Sequence, residues 1–154
     1  METCQNIALE ASEVELVYKT KIKASSRPTA NTAAKAFRVL FNAWNKDKIE
    51  LLEQFKILLL DRSNKVLGIC EISSGGISGT VVDAKLVFVA ALKAHASKII
   101  LCHNHPSGNL KPSSQDISLT RNLERAGEFL DISVLDHLII TTESYYSFAD
   151  EGLL

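Results

Sequence analysis

The spacing of apolar residues shifts along the chain between a period of two and a period of three to four, and these shifts predict its strands and helices. Apolar positions at helical spacing, preceded by capping side chains, predict helices over residues 31–44, 83–96 and 113–129. Alternating or continuous apolar runs bounded by turn residues predict strands over residues 12–22, 55–60, 66–72, 98–102, 132–141 and 145–148.

Strands that alternate with helices in this order are typical of an α/β fold with one mixed central sheet flanked by helices. In open sheets of this kind, functional sites gather at the carboxyl ends of strands, and His103 follows the strand at 98–102. We expect residues 1–48 to form a strand-and-helix extension, packed on the core of a domain spanning 49–154 as one compact unit. The Ser- and Gly-rich stretch 73–79 predicts a flexible loop without a phosphate-binding motif.

Composition places the chain among globular proteins without a strong charge. It has 154 residues and a net charge of −1, so it lacks the basic field that drives nucleic-acid binding. The three cysteines, Cys4, Cys70 and Cys102, have no CxxC spacing, which indicates neither a disulfide framework nor a cysteine-based zinc site. No signal-peptide pattern is visible, and no apolar run approaches the ~18 residues that cross a bilayer. We therefore expect a cytoplasmic protein with no membrane contact.

The candidate chemistry lies in one short window, HNHPSGNLKPSSQD, which begins at His103. In an extended segment, residues two apart point to the same side, so His103 and His105 can face one ion. Asp116, in the first turn of the next helix, can turn back toward them. Two imidazoles and a carboxylate with an open fourth position are typical of a catalytic zinc site. Ser113-x-x-Asp116 is also typical of a helix cap, a role compatible with orienting Asp116 toward a metal.

The pattern HxHPSGxxxPSxxD resembles the signature of the JAMM (JAB/MPN) metallopeptidases, and HNHPSG followed by PSxxD is similar to the RadC-type branch of that family. The resemblance runs from Glu53 to Gly152. It implies a JAB/MPN-like fold with cytidine-deaminase-like layering, and one zinc ion per chain held by His103, His105 and Asp116. It also implies hydrolysis of an amide or isopeptide bond in a peptide or protein substrate by metal-activated water.

The same resemblance implies a general base upstream of the histidines and a serine beside the metal. Glu53 is the best match for the base, because it directly precedes a buried strand, at whose edge partial burial can raise the pKa of a carboxyl group. Glu50 and Glu71 are the alternatives. Ser113 matches the serine that helps to stabilise the oxyanion in this family. His137 lies inside an apolar run, which predicts a packed core residue rather than a metal ligand.

Other functions are compatible with the same motif. One alternative is a RadC-type DNA-repair-associated factor or scaffold without peptidase activity. Members of that branch usually carry a helix-hairpin-helix module before the metal domain, whereas here about fifty residues without clustered basic side chains precede the resemblance, which disfavours nucleic-acid binding. A metal-dependent deaminase is disfavoured because PCxxC is missing. Exposed strands at a sheet edge predict a homodimer, and imidazole with carboxylate also accepts divalent ions other than zinc.

Overall fold

The computed structural model describes residues 11–76 and 79–154. Within these ranges the chain forms a short 3-10 turn (Ala24–Ser26) and the helices α1 (Ala33–Ala43), α2 (Ala84–Lys93) and α3 (Ser114–Phe129). The strands are β1 (Gln54–Leu60), β2 (Val66–Ser74), β3 (Lys98–Asn104), β4 (Ser133–Ile140) and β5 (Tyr145–Ser147). These elements confirm the predicted helices and every predicted strand that follows α1.

The strands form one mixed sheet in the order β2-β1-β3-β4-β5. β1 lies antiparallel to both β2 and β3, whereas β3 and β4 are parallel and β5 returns antiparallel to β4. Parallel neighbours need a crossover connection, which α3 provides between β3 and β4. The predicted α/β class with a mixed central sheet is therefore confirmed.

Side chains alternate between the two faces of the sheet, and each face carries its own apolar core. The core under α1 contains the buried strand residues Leu58, Leu60, Ile100, Cys102, Leu138 and Ile140. The core under α2 and α3 contains Phe55, Ile57, Leu59, Ile99 and Leu101 from the strands, with Val87, Phe88, Ala91 and Leu123 from the helices. Both central strands, β1 and β3, are thus covered on both faces, which holds the ends of these strands in fixed positions.

Polar side chains begin the helices close to the predicted positions. The Thr32 hydroxyl accepts a hydrogen bond from the backbone N–H of Lys35 at 3.3 Å, which caps α1. The Asp83 carboxylate accepts from the backbone N–H of Lys85 at 2.9 Å, which caps α2. Each cap satisfies an N–H that has no partner within the helix.

The predicted strand over 12–22 is wrong. Residues 11–20 have no regular structure, and Val14 and Leu16 are 86% and 82% exposed. Tyr18 is partly buried, and its hydroxyl donates to the Leu67 carbonyl of β2. An alternating pattern indicates only that a segment can pair. Among the described residues 11–76 and 79–154, no strand pairs with the segment around Tyr18 to cover its apolar side chains.

The prediction of a flexible loop over 73–79 is wrong at its beginning. β2 continues to Ser74, which pairs with Gln54 of β1, and Gly76 and Gly79 form an antiparallel bridge. Residues 77–78 lie outside the described residues, as does Cys4. The extra strand length comes from pairing with β1, which a local Ser-Gly composition does not reveal. In the described part of the chain, no helix is long and apolar enough to cross a membrane.

Candidate metal centre

His103, His105 and Asp116 come together where β3 ends and α3 begins. One ligand atom from each residue, a ring nitrogen or a carboxylate oxygen, lies within 4.8 Å of the other two. Nε2 of His103 is 3.0 Å from Nε2 of His105 and 3.3 Å from Oδ1 of Asp116, and Nε2 of His105 is 3.9 Å from Oδ2 of Asp116. Ligands bound at about 2.0–2.1 Å to a tetrahedral zinc ion lie about 3.3 Å from each other, so the spacings of 3.0 and 3.3 Å at Nε2 of His103 fit one ion.

The loop after β3 determines which nitrogen of His105 carries the proton. Nδ1 of His105 lies within hydrogen-bond distance of the Asn109 carbonyl oxygen. Because a carbonyl oxygen only accepts, Nδ1 holds the proton and Nε2 presents a lone pair to His103 and Asp116. A cation stabilises such a convergence of lone pair and carboxylate oxygen, so the residues present could hold a metal ion.

The beginning of α3 orients Asp116. The backbone N–H and the hydroxyl of Ser113 both donate to Oδ2 of Asp116 at 2.7 Å, and the Ser113 hydroxyl oxygen accepts from the backbone N–H of Asp116 at 3.1 Å. This reciprocal capping box confirms the cap that the sequence predicted. Since the cap uses Oδ2, Oδ1 is left facing His103. The capping and the metal-binding interpretations are therefore compatible in one side chain.

Burial keeps the first histidine neutral. His103 is 1% exposed, and its burial, opposed by the nearby Asp116 and reinforced by His105, lowers the pKa of the ring to about 4. A neutral imidazole is the form that binds a metal. His103 is therefore ready to act as a ligand at neutral pH without first releasing a proton.

Glu53 lies in the same cleft as the three candidate ligands. This cleft, of about 490 Å³, is lined by Glu53, His103, His105, Ser113 and Asp116, together with Phe55, Gly79, Thr80, Val81, Val82, Gln115 and Leu119. Glu53 is partly buried, and this burial raises the pKa of its carboxyl group; His105 lowers the pKa and Asp116 raises it further. The structure thus brings the predicted base and the predicted serine to the predicted ligands, while the catalytic roles of both stay predictions.

The two alternative bases lie elsewhere. Glu50 is exposed and accepts a hydrogen bond from the Thr142 hydroxyl at 3.0 Å. Glu71 sits on β2, where it accepts from the Gln54 side chain at 2.9 Å and lies 3.5 Å from the Lys56 ammonium. Neither carboxylate lines the cleft. Of the three candidates, Glu53 alone faces the histidines from within it.

Asn104, between the two histidines, points to the opposite face of the sheet, as the alternation predicts. It is fully buried. Its side-chain amide donates to the carbonyls of Ile49 at 2.7 Å and Leu52 at 2.9 Å, and its side-chain oxygen accepts from the backbone N–H of Gln54 at 2.8 Å. These bonds hold the segment that carries Glu53. The sequence places Asn104 behind the histidines but does not reveal that the segment it holds is the distant one before β1.

The sequence does not predict that two buried residues, His137 and Thr120, lie next to the candidate ligands. His137 of β4 contacts His103, and Thr120 of α3 contacts His137. The apolar run around His137 correctly predicts burial. Its contact with a candidate ligand becomes visible only once β3 and β4 are known to be parallel neighbours.

Comparison with known proteins finds relatives for most of the chain. A family model described as the RadC-like JAB domain matches residues 30–153. A UPF0758 protein of Flavobacterium johnsoniae is 54% identical over 101 residues, which cover 66% of this chain and 44% of the relative. A UPF0758 protein of Porphyromonas gingivalis is 47% identical over 103 residues (66% and 45%), and one of Pelobacter propionicus is 43% identical over 102 residues (66% and 44%). The chain spans less than half the length of these curated relatives.

Proposed function

Because this chain belongs to the RadC-like JAB domain family, as the resemblance predicted, we propose that it is a zinc-dependent hydrolase that cleaves amide or isopeptide bonds in a peptide or protein substrate. The observation that carries the proposal is the convergence of His103, His105 and Asp116 beside a partly buried Glu53 in one cleft. A pair of imidazoles and a carboxylate with a separate carboxylate nearby is the composition of a metal-assisted hydrolytic site.

His103, His105 and Asp116 are the residues that would hold the ion. When bound, zinc would supply a Lewis acid that lowers the pKa of water from its ordinary value toward about 7. Both histidines direct Nε2 into the cluster, and the capping bonds from Ser113 leave one oxygen of Asp116 for the ion. The same donors also accept other divalent ions, so the choice of zinc rests on ligand type.

Glu53 is the proposed general base. It accepts the proton of the attacking water and later delivers it to the leaving amine, which balances the hydrolysis without a further group. Burial raises the pKa of its carboxyl group, and a higher pKa makes a carboxylate a stronger base at neutral pH. The bonds from Asn104 to the backbone on both sides of Glu53 hold the base in place during these transfers.

Ser113 is the proposed donor to the oxyanion of the substrate. Its hydroxyl lies at the cleft but directs its proton to Oδ2 of Asp116. Rotation about the Cβ–Oγ bond would redirect that proton to the substrate, while the backbone N–H of Ser113 continues to hold the carboxylate. A donor of this kind typically contributes about 3 kcal/mol to the stability of the transition state.

Metal content and hydrolysis, measured together, test the proposal. Purified protein is assayed for zinc by elemental analysis and for cleavage of fluorogenic peptides and isopeptide-linked peptides. We expect Glu53→Gln to retain zinc and to lose at least about 100-fold in turnover, since general base catalysis contributes roughly 10²–10⁴-fold. The matched control Glu50→Gln should keep both properties, and the double variant His103→Ala/His105→Ala should lose the metal.

Two results would overturn the assignment. Full activity in Glu53→Gln would remove the proposed base, and absence of zinc from the wild-type protein after incubation with the ion would remove the metal centre. Zinc binding without hydrolysis of any substrate would instead favour a scaffold or a DNA-repair-associated factor. Salt-dependent binding of DNA would then distinguish these two.

A further inference from the structure

Behind the candidate ligands lies a line of buried polar contacts that the proposed chemistry does not use. In the parallel pairing of β3 and β4, Leu101 is opposite His137. Residues two apart share a face, so His103 lies diagonally across from His137 on the side covered by α3. Thr120 of α3 reaches this face. His103, His137 and Thr120 are 1%, 0% and 2% exposed, so water does not compete for their hydrogen bonds.

The contacts run continuously from one candidate ligand to another. Nδ1 of His103 is 2.8 Å from Nε2 of His137, and Nδ1 of His137 is 2.6 Å from the hydroxyl oxygen of Thr120. That hydroxyl is in turn 2.6 Å from the backbone carbonyl oxygen of Asp116. We call these four residues the Thr120–His137 path.

The carbonyl at the end of the path determines the direction of every hydrogen bond in it. A carbonyl oxygen only accepts, so the single hydroxyl proton of Thr120 goes to Asp116. If that proton pointed to His137 instead, two oxygen lone pairs would face each other at 2.6 Å. The Thr120 oxygen therefore accepts from Nδ1–H of His137, which leaves Nε2 of His137 as an acceptor. That acceptor takes the proton on Nδ1 of His103.

We infer that the Thr120–His137 path holds His103 as its Nδ1–H tautomer, so that Nε2 presents a lone pair toward His105 and Asp116. His137 and Thr120 are then positioning residues of the proposed metal centre, and the inference rests on that proposed function for its consequence. A partner on the outer nitrogen of a ligating histidine fixes both the tautomer and the orientation of the ring. His137 itself is no ligand, because its Nε2 is directed at His103.

The surroundings keep the path in a single arrangement. The His137 ring is stacked on Phe148 with 4.6 Å between ring centroids, and Phe55 and His137 pack edge to face with 5.6 Å between theirs. A half-turn of the His137 ring would place carbon atoms where its two nitrogens lie and would break both hydrogen bonds, so these bonds and the aromatic packing favour one orientation. The tautomer of His105 is held in the same way, because its Nδ1–H donates to the Asn109 carbonyl oxygen in the loop after β3.

The tautomers can be read directly in the metal-free protein. Long-range proton–nitrogen correlation spectra of protein labelled with nitrogen-15 distinguish a protonated from an unprotonated ring nitrogen. At about pH 7.5, after treatment with EDTA, we expect His103 and His137 both to be Nδ1–H, the less common form of histidine in water. An Nε2–H signal from either ring would overturn the inference.

Variants at Thr120 test whether the hydroxyl causes this preference. Thr120→Val has the same shape without the hydroxyl, so the Nδ1–H of His137 loses its acceptor and the ring can invert its tautomer. We expect the spectra to show Nε2–H on His103 and the affinity for zinc, measured by competition with a chelator, to fall about 10- to 100-fold. Thr120→Ser restores the hydroxyl and should restore both readouts. Wild-type tautomers and affinity in Thr120→Val, or an equal loss in Thr120→Ser, would show that packing rather than the hydroxyl matters.

A second variant covers the case in which Thr120→Val fails to fold. His137→Phe keeps an aromatic ring between Phe55 and Phe148 but removes the acceptor for His103. We expect loss of the Nδ1–H signal of His103, and retention of that signal would overturn the inference. Failure of the proposed function has a different signature: a wild-type protein that binds no zinc but shows Nδ1–H on both rings retains the path and loses the metal assignment.

Discussion

The side-chain oxygen of Asn104 accepts a 2.8 Å hydrogen bond from the backbone N–H of Gln54. This bond joins the residue between the two candidate histidine ligands to the residue after the candidate base, Glu53. A single buried side chain thus keeps two distant parts of the cleft at a fixed spacing. One face of β3 therefore carries the candidate ligand His103, and the opposite face carries the side chain that holds the segment of Glu53.

Asn104→Ala should destabilise the protein. It leaves one N–H and two carbonyls of the 49–54 segment without their partner, and an unsatisfied buried group costs about 1–3 kcal/mol. We expect the free energy of unfolding in urea to fall by about 3 kcal/mol or more. Asn122→Ala, at an exposed position of α3, is the control and should change it by less than about 0.5 kcal/mol. Equal stability of the two variants would contradict the role of Asn104.

The metal-free protein should lose stability as the pH falls from about 6.5 to 4. Burial lowers the pKa of His103 to about 4 and that of His137 well below 6.5. The unfolded chain therefore binds protons that the folded chain does not, and the stability present above pH 6.5 is lost on acidification. The two rings together contribute up to about 2.7 kcal/mol per pH unit, and the raised pKa values of Glu53 and Asp136 act in the opposite direction toward pH 4.

Urea unfolding of EDTA-treated protein at several pH values measures this slope. His137→Phe removes one of the two buried rings and should reduce the slope by about half. His95→Asn removes an exposed ring whose backbone φ of 55° asparagine also adopts, and it should retain the wild-type slope. A stability that does not change across this pH range would show that the buried rings titrate alike in both states.

Ser113→Ala should weaken both the helix and the metal centre. Loss of a serine cap costs about 1 kcal/mol, and Asp116 loses one of the two donors that hold its Oδ2. We expect unfolding at lower urea and a lower zinc affinity in competition with a chelator. Ser114→Ala, an exposed neighbour in the first turn of α3, should leave both unchanged. An unchanged zinc affinity in Ser113→Ala would mean that the backbone N–H alone orients the carboxylate.

Zinc should stabilise the folded protein, and a chelator should reverse the effect. A ligand present at 100 times its Kd adds about 2.7 kcal/mol to the free energy of unfolding. Thermal unfolding with zinc and with EDTA measures the difference. His105→Ala should abolish it, because one of the three donors is gone, whereas His95→Asn should preserve it. A response to zinc that survives in His105→Ala would place the ion elsewhere.

The sequence reveals those parts of the molecule whose signal is local. HxH in an extended segment brings two imidazoles to one side, and Ser113-x-x-Asp116 begins a helix whatever else surrounds it. Only the family resemblance predicts Glu53 as the base, because an isolated carboxylate before a strand does not by itself indicate a catalytic role. The structure places all five residues on one cleft.

Local sequence patterns do not predict features that depend on contacts between distant parts of the chain. The alternation around Val14 and Leu16 indicates that a strand can form, but pairing decides whether it does. The partnership of His103 with His137 depends on the parallel register of β3 and β4, which no pattern within either strand encodes. The hydrogen bonds of Asn104 also reach residues about fifty positions earlier in the chain, so no local sequence pattern predicts them.

The crossover β3–α3–β4 contains the proposed metal ligands but not the proposed general base. His103, Asp116, Thr120 and His137 all belong to this one continuous stretch, and His105 lies in its connecting loop. Glu53 lies outside this stretch, directly before β1, which pairs antiparallel with β3. The three proposed metal ligands therefore all lie between positions 103 and 116, whereas the proposed base lies about fifty residues earlier in the chain. A descendant in which only Glu53 is replaced would keep the proposed metal ligands and lose the proposed general base, so metal binding and hydrolysis would be separable properties of one fold.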